Sequence, residues 1–302
     1  VVNVISAAPT DHWEAQASVD VGNYNNRRLE GMLNVPIFED KIDFRVAGEW
    51  TKRDGYSFND ETQHSTDGRD LWSSRVSLLF HPIAELKATG IWEHFQEDDD
   101  RLRSGKQLCE KDQAPAVVDG PAGPQVPDAS LDFGGNFGAI WLEQGCRPAS
   151  LYSDSSFETP NASSVPFIAA LQLMTPYMAP GTDPYVGQTQ SHDLRVISSL
   201  IDPNYKAKND TFELNVDYGV TPTLTLTSQT GYNTDSLYST EDFNRYNTAG
   251  GIFTDPGGKT FIGKAGRICD PQLGCSDRLV AQDFSDESAH QFCHEDRLRS
   301  TF

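Results

Sequence analysis

The chain has 302 residues, of which 24 are Lys or Arg and 44 are Asp or Glu, so its formal charge at pH 7 is −20. This acidic balance argues against nucleic-acid binding, which needs a basic face, and is also typical of acidic surface loops that aid solubility. The mean hydropathy is −0.51, and no stretch approaches the ~18 consecutive apolar residues of a membrane-spanning helix. The low mean hydropathy does not exclude a membrane-spanning barrel, because half of each strand in such a barrel faces a polar lumen.

Alternating apolar and polar residues recur along the chain and predict strands. After a short β segment at residues 1–7, the alternating segments are 13–21, 26–37, 41–53, 71–80, 84–96, 209–218, 223–233 and 290–302. The pattern is clearest in residues 41–53, where Phe44, Val46 and Trp50 share one face and charged side chains dominate the other. A strand of a soluble sandwich can look the same, so the series of strands is the informative feature.

The connections between these segments alternate between short and long. The short ones are residues 36–40, 81–83 and 219–222, and the others are 22–25, which is also short, and the long loops 54–70, 97–207 and 234–288. Several aromatic residues are expected near strand ends, as in the girdles of membrane barrels: Trp50, Trp72, Trp92, Tyr218 and Tyr232. The sequence therefore predicts an all-β fold, an antiparallel transmembrane β-barrel with long extracellular loops. Residues 165–178 read equally well as a short helix or an apolar loop.

Four of the five cysteines lie in the two longest loops. Cys109 and Cys146 fall in the first, and Cys269 and Cys275 fall in the second. A disulfide within each loop would restrain that loop, although four cysteines permit three different pairings. A metal site is the weaker reading, because no C-x-x-C with an accompanying His cluster occurs.

No stretch carries the pattern of an enzyme. Residues 257–260, GGKT, imitate the end of a phosphate-binding loop, but Phe253 stands where that motif needs its first glycine. The acidic run at residues 97–100 lacks the alternating spacing of a calcium-binding loop, so a solvated charge run is the better interpretation. We therefore assign no catalytic residue, no metal and no cofactor.

Four short stretches share a pattern with one known family. Residues 1–6 read VVNVIS, residues 22–24 read Gly-Asn-Tyr, and residues 45–56 read RVAGEWTKRDGY. In this order they resemble the last plug strand and the first barrel strands of TonB-dependent outer-membrane receptors. Residues 294–300, HEDRLRS, resemble a recurrent strand of that family, except that Asp296 replaces an apolar residue of the lipid face.

The resemblance implies a domain organisation. Residues 1–9 would be the last strand of the plug, and residues 10–302 the N-terminal part of the barrel, with about eight of its 22 strands. The chain would then be part of a longer protein, because the TonB box and most of the plug are absent from it. The location implied is the bacterial outer membrane, with the long loops outside the cell.

The function implied is active uptake of a scarce ligand, such as siderophore-bound iron, cobalamin, nickel or an oligosaccharide. The partners implied are the TonB–ExbB–ExbD energy-transducing complex, acting through the plug, the small-molecule ligand and outer-membrane lipid. Within the long loops, the candidate ligand contacts are Trp141, Tyr152, Tyr177 and Tyr185, although any one of them can equally be a packing residue. Two alternatives are a passive porin-type channel and a soluble secreted β-rich binding domain or enzyme.

Overall fold

The computed structural model describes residues 6–38, 41–112, 118–120, 123–125, 145–160, 184–253, 266–271 and 274–301. Its main sheet has eight long strands: β1 (Glu14–Gly22), β2 (Asn26–Phe38), β3 (Ile42–Arg53), β4 (Arg69–Ile83), β5 (Leu86–Asp99), β6 (Asn204–Thr221), β7 (Leu224–Asp242) and β8 (Gln282–Ser300). The connections contain the 3-10 turn Asp154–Ser156 and the short strands Ser57–Asn59, His64–Thr66, Glu110–Lys111, Val118–Gly120, Gly123–Gln125, Cys146–Arg147, Val196–Ile197, Ile268–Asp270 and Gly274–Ser276. Within the described residues, no helix has the length and apolar character needed to cross a membrane.

The eight strands pair in chain order, each antiparallel to the next. The prediction of an all-β fold built from about eight antiparallel strands is confirmed. Strands β1 and β8 lie at opposite edges of the sheet and do not pair with each other. The sheet is therefore open.

One face of the sheet is apolar and largely exposed. Residues directly opposite each other on paired strands point to the same side, so the pairing aligns apolar side chains in rows. The longest row crosses all eight strands and contains Ala15, Leu33, Val46, Val76, Trp92, Phe212, Tyr232 and Phe292. We call this side the apolar face and the other side, which carries most of the charged side chains, the polar face. Leu214 and Phe292 on the apolar face are 49% and 68% exposed.

The band of apolar residues is staggered across the sheet. On β3 and β4 it extends to the paired residues Trp50 and Trp72. On β5 and β6 the same row holds Gln96 and Lys208, and the band ends two rows earlier, at Trp92 and its partner on β6. Two rows are four residues, or about 13 Å along a strand. Such an offset is what strands tilted relative to a barrel axis require.

The strands are longer at the loop end than the sequence pattern predicted. Strand β5 ends at Asp99 and β6 begins at Asn204, while β7 ends at Asp242 and β8 begins at Gln282. The two longest connections are therefore residues 100–203 and 243–281 rather than the predicted 97–207 and 234–288. The backbone ladder continues where both faces have become polar, and alternation then gives no signal. For the same reason Trp92 and Tyr232 lie in the middle of strands β5 and β7, and their predicted placement near strand ends was wrong.

The connections alternate in length as predicted. The short connections between β2 and β3, between β4 and β5 and between β6 and β7 join the strands at one end of the sheet. The connections 23–25, 54–68, 100–203 and 243–281 join them at the other end. In the turn at 23–25, Tyr24 and Asn25 have φ of 58° and 54°, the left-handed pair that a type I′ hairpin needs. Asn25 tolerates this conformation well; Tyr24 is held by its ring contact with Tyr56, at 6.2 Å between centroids.

Candidate functional site

The three long connections pack into one body at the end of the sheet. We call the described parts of residues 54–68, 100–203 and 243–281 the cap. Val196–Ile197 pairs in parallel with Phe58–Asn59, and the backbone N–H of Ser198 donates to the carbonyl of Arg245 at 3.1 Å. Because these hydrogen bonds join the backbones of all three connections, the cap is a single packed unit rather than three independent loops.

The cap has its own small apolar core. Its buried members are Cys109, Phe157, Tyr185, Ile197, Tyr246, Ala249 and Phe253. The rings of Tyr185 and Tyr246 meet edge to face, with centroids 5.3 Å apart, and the side-chain amide of Asn244 donates to the Tyr185 hydroxyl at 3.2 Å. Burial raises the pKa of Tyr246 far above its ordinary value, so this ring stays neutral.

A buried ion pair fastens the base of the cap to strand β7. The Arg245 guanidinium donates to the Glu241 carboxylate at 2.6 Å, and both side chains are at most 3% exposed. Arg245 also donates to the carbonyl and hydroxyl oxygens of Ser104 at 2.7 and 2.8 Å. The backbone N–H of Arg103 donates to the same Glu241 carboxylate at 2.9 Å. One arginine and one glutamate therefore tie the connection 243–281 to the connection 100–203.

A second polar cluster joins the short hairpin that follows β3 to the residues just before β6. Asn59 is fully buried; its amide donates to the Ser199 carbonyl and to the Asp202 carboxylate, each at 2.9 Å. Thr62 and His64 also bond Asp202, each at 2.7 Å. Burial disfavours ionisation of Asp202, but these three hydrogen bonds outweigh it and hold its pKa below the usual value. The carboxylate is therefore a charged anchor for the hairpin.

Both disulfides lie within single connections. Cys109 bonds Cys146, 37 residues apart, and Cys269 bonds Cys275, six residues apart. Cys293 on β8 is a free, exposed thiol. Because Cys109 is fully buried in the cap core, its bridge joins the long segment that follows it to the packed part of the cap.

The polar face forms a groove beside β1 to β6. It has a volume of about 470 Å³, and its lining contains three glutamates and one arginine. Arg45 bonds Glu14 at 3.0 Å, Arg28 bonds Glu49 at 3.0 Å, and Arg75 bonds its cross-strand neighbour on β5. The face is thus a hydrophilic wall on which several charges form ion pairs.

The segment that precedes β1 runs over this polar face. The fully buried side chain of Asn34 accepts from the backbone N–H of Thr10 at 3.0 Å and donates to the carbonyls of Thr10 and His12 at 2.8 and 2.6 Å. Further upstream, Ser6 lines a groove of about 810 Å³ with Gln229 and Arg297 of β7 and β8. The chain therefore enters the sheet from its polar side.

The predicted ligand contacts have different environments. Trp141 and Tyr177 lie outside the described residues, as does the segment 165–178. Tyr152 is 95% exposed in a turn of the cap, and Tyr185 is buried in the cap core. All four stay predictions; of the two that lie within the described residues, Tyr152 exposes its ring and Tyr185 does not.

Sequence reasoning missed the residues that assemble the cap. Arg245, Glu241, Asn59 and Asp202 carry no motif, and their partners lie up to 143 residues away in the chain. The acidic run was interpreted as solvated, yet Glu97 is buried and bonds Arg101 at 3.3 Å. No local pattern could have revealed these long-range partners.

Comparison with solved structures gives similarity at low identity. The chain is similar to the ferric-catecholate import receptor Fiu from E. coli K12 in its closed form, with 11% identity over 99% of this chain and 30% of that chain and a TM-score of 0.48. The open form of the same receptor is 11% identical over 98% of this chain and 32% of that chain, with a TM-score of 0.48. The siderophore receptor PiuA from Acinetobacter baumannii is 12% identical over 98% of this chain and 28% of that chain, with a TM-score of 0.49.

The chain spans less than one third of the length of these receptors. No protein-family model matches the chain. Over nearly its whole length the chain is similar to part of a ferric-catecholate import receptor and to part of a siderophore receptor.

Proposed function

We propose that this chain forms the junction between plug and barrel, and the first eight barrel strands, of a TonB-dependent outer-membrane receptor. The observation that carries the proposal is the two-faced sheet. One face exposes a continuous band of apolar side chains, the other is lined by paired charges, and long connections emerge at one end only. In water the apolar band would be a large exposed patch, whereas in a bilayer it is the surface that lipid covers.

In this proposal residues 1–9 end the plug and residues 10–302 belong to the barrel. The polar face lines the lumen that the plug fills. The Asn34 bonds to Thr10 and His12 support this arrangement, because they hold the incoming chain against the lumen side. The plug would pass the pull of the TonB–ExbB–ExbD complex to this segment.

The cap would lie outside the cell and take part in capturing the ligand. Disulfides within its connections and buried polar clusters between them hold the cap together, so it presents a fixed surface on which Tyr152 stands exposed. Siderophore-bound iron, cobalamin, nickel and oligosaccharides are the ligand classes to be tested. No residue of the cap is assigned a catalytic role.

The experiment is uptake by cells that produce the full-length receptor, with and without a functional TonB. Cells would be given radiolabelled iron bound to a panel of siderophores, and labelled cobalamin in parallel. We expect accumulation of at least one ligand that requires both the receptor and TonB. Accumulation that is independent of TonB, together with steady ion conductance in planar bilayers, would instead establish a passive channel.

A matched pair of variants tests the role of the cap surface. Tyr152→Ala should lower uptake several-fold, because it removes an exposed ring without disturbing the cap core. Leu194→Ala removes an exposed side chain, 49% accessible, from another cap turn and should leave uptake unchanged. Equal uptake by Tyr152→Ala and the parent would exclude Tyr152 as a ligand contact.

A further inference from the structure

The apolar face contains a groove. It lies across β4 to β7, has a volume of about 410 Å³, and is lined almost entirely by apolar atoms. Its walls are formed by Val76, Leu78, Trp92, Phe212, Leu214 and Tyr232.

The groove exists because Gly90 has no side chain. Gly90 lies in a cross-strand row between Leu78 and Leu214, so a bare backbone is flanked by two large residues. A Cβ atom placed on Gly90 would meet nothing within 4 Å. The space is therefore open to an apolar occupant from outside the protein.

The end of the groove nearer the cap is closed by an aromatic and polar cluster. The ring of Trp92 stacks on Phe212, with centroids 6.3 Å apart, and its indole N–H donates to Asp210 at 3.2 Å. His94 shares Asp210 at 2.7 Å and packs against Trp72, with ring centroids 4.5 Å apart. The groove therefore passes from an apolar floor to a polar boundary over one row of the sheet.

A positive charge lies just beyond this boundary. Lys208 is on the same face as Phe212 and four residues from it, or about 13 Å along β6. Its side chain is 57% exposed and only loosely paired, since its ammonium is 3.7 Å from the Asp210 carboxylate. Lys206, by contrast, is held by Asp98 at 3.1 Å. Lys208 can thus reach an anionic group above the groove.

We propose that this groove binds one acyl chain of a membrane lipid, with an anionic phosphate of the headgroup at Lys208. The apolar floor would contact the acyl chain, the aromatic boundary would lie at the membrane interface, and Lys208 would contact the phosphate. This is the order in which these parts follow one another in a lipid molecule. The inference rests on the proposed function, because it requires the apolar face to meet a bilayer. It adds a lipid site at one place on that face.

The experiment is photo-crosslinking in vesicles. The full-length receptor is reconstituted in phosphatidylcholine vesicles doped with diazirine-bearing phosphatidylglycerol or, separately, diazirine-bearing phosphatidylcholine. Crosslinks are mapped by peptide mass spectrometry on the β6 residues 212–214 and on the β2 residues 29–33, which lie outside the groove on the same face. We expect at least three-fold more crosslinks on β6 than on β2, and more with phosphatidylglycerol than with phosphatidylcholine.

Two glycine variants form a matched pair. Gly90→Val fills the groove and should bring the ratio of β6 to β2 crosslinks close to one. Gly31→Val adds the same side chain on the same face, where a Cβ also meets nothing within 4 Å, and should leave the ratio unchanged. Lys208→Gln should remove the preference for phosphatidylglycerol while the groove stays occupied.

The possible outcomes are distinct. A parent ratio near one, or equal ratios in the Gly90→Val and Gly31→Val variants, would overturn the lipid site while leaving the membrane assignment intact. If Lys208→Gln kept the lipid preference, the headgroup contact would be overturned. A protein that stays in the supernatant without crosslinks on either segment would overturn the proposed function itself. Heat-modifiable migration of each variant verifies that it has folded.

Discussion

The apolar face of the sheet and the core of the cap use hydrophobic side chains in opposite ways. Phe292 and Leu214 on the sheet remain about half or more exposed, whereas Phe253 in the cap is fully buried. The cap therefore gains its hydrophobic stabilisation inside the chain. In the proposed function the sheet gains it from the surrounding lipid, so the stability of the sheet would depend on the membrane, whereas that of the cap depends on its own contacts.

The two regions also differ in how they treat charge. In the cap, Arg245 and Glu241 are nearly inaccessible and satisfy each other. On strand β8, Arg297 pairs with Glu295 while both side chains stay more than half exposed. A charge without its partner is costly only when it is buried, so substitutions in the two regions should have very different effects.

The largest expected effect is from Arg245→Met, which leaves the buried Glu241 carboxylate without its partner. We expect the free energy of unfolding of the cap to fall by about 3–5 kcal/mol. Hydrogen exchange of cap and sheet amides in detergent measures this, and only the cap should lose protection. Arg297→Met is the control and should change neither region. If the two substitutions had equal effects, the buried ion pair would not hold the cap.

The disulfides give a graded comparison within the cap. Chain entropy predicts a loss of about 4 kcal/mol when the 37-residue loop is opened by C109A/C146A, and of about 2 kcal/mol when the six-residue loop is opened by C269A/C275A. Limited proteolysis of the intact receptor should show faster cleavage in the first double variant than in the second. The reverse order would mean that loop length does not determine their contributions.

A charge placed on each face of β6 tests which side meets lipid. Leu214→Arg should cost about 2–4 kcal/mol in folding into vesicles, because the guanidinium would be forced into hydrocarbon. Glu213→Arg, one residue away on the polar face, should fold with an efficiency close to that of the parent. Folding is measured by heat-modifiable migration in the presence of phosphatidylcholine vesicles. For a water-soluble domain, Leu214→Arg would instead improve solubility.

The smallest expected effect is a dependence of cap stability on pH. Lys106 is half-buried and donates to the carbonyls of Ser191 and Asp193 at 2.5 and 2.8 Å. Burial lowers the pKa of Lys106 to about 8, against the opposing influence of Asp193 and Asp60. An unfolded lysine titrates near ~10.4, so the unfolded state binds more protons between these values and the cap gains stability as pH rises through that window.

Because Lys106 is partly exposed, solvent screening reduces this gain to about 1 kcal/mol. The measurement is the urea midpoint of the cap transition at pH 7.5 and pH 10, for the parent and for Lys106→Met. The variant should lack the part of the pH dependence that belongs to Lys106. A parent and variant with parallel pH profiles would show that this lysine does not lose its proton in the folded cap.

The sheet was predictable because its information is local. In β3, Phe44 and Val46 alternate with Asp43 and Arg45, and pairing with β4 requires only the same alternation in the next segment. Prediction failed near Lys206, where both faces of the strand are polar and the ladder continues without a periodic signal. The predicted start of β6 was consequently too late in the chain, and the predicted loop before it was too long.

The cap was not predictable because its information is not local. Asn59 finds Ser199 across 140 residues, and no spacing in the sequence links them. Tyr185, which the sequence predicts as a ligand contact, packs against Tyr246 from the next long connection. An aromatic residue in a loop looks the same in sequence whether it faces solvent or another ring.

The bridge between Cys109 and Cys146 changes what a break in the backbone does to the molecule. The two cysteines close a covalent ring of the chain between strands β5 and β6. A single proteolytic cut inside that ring leaves both sides joined through the sulfur atoms, so the chain keeps its continuity from one strand to the next. Reduction after cutting would then be needed to separate the two pieces. A protease could therefore open this ring without detaching the cap from the sheet that holds it.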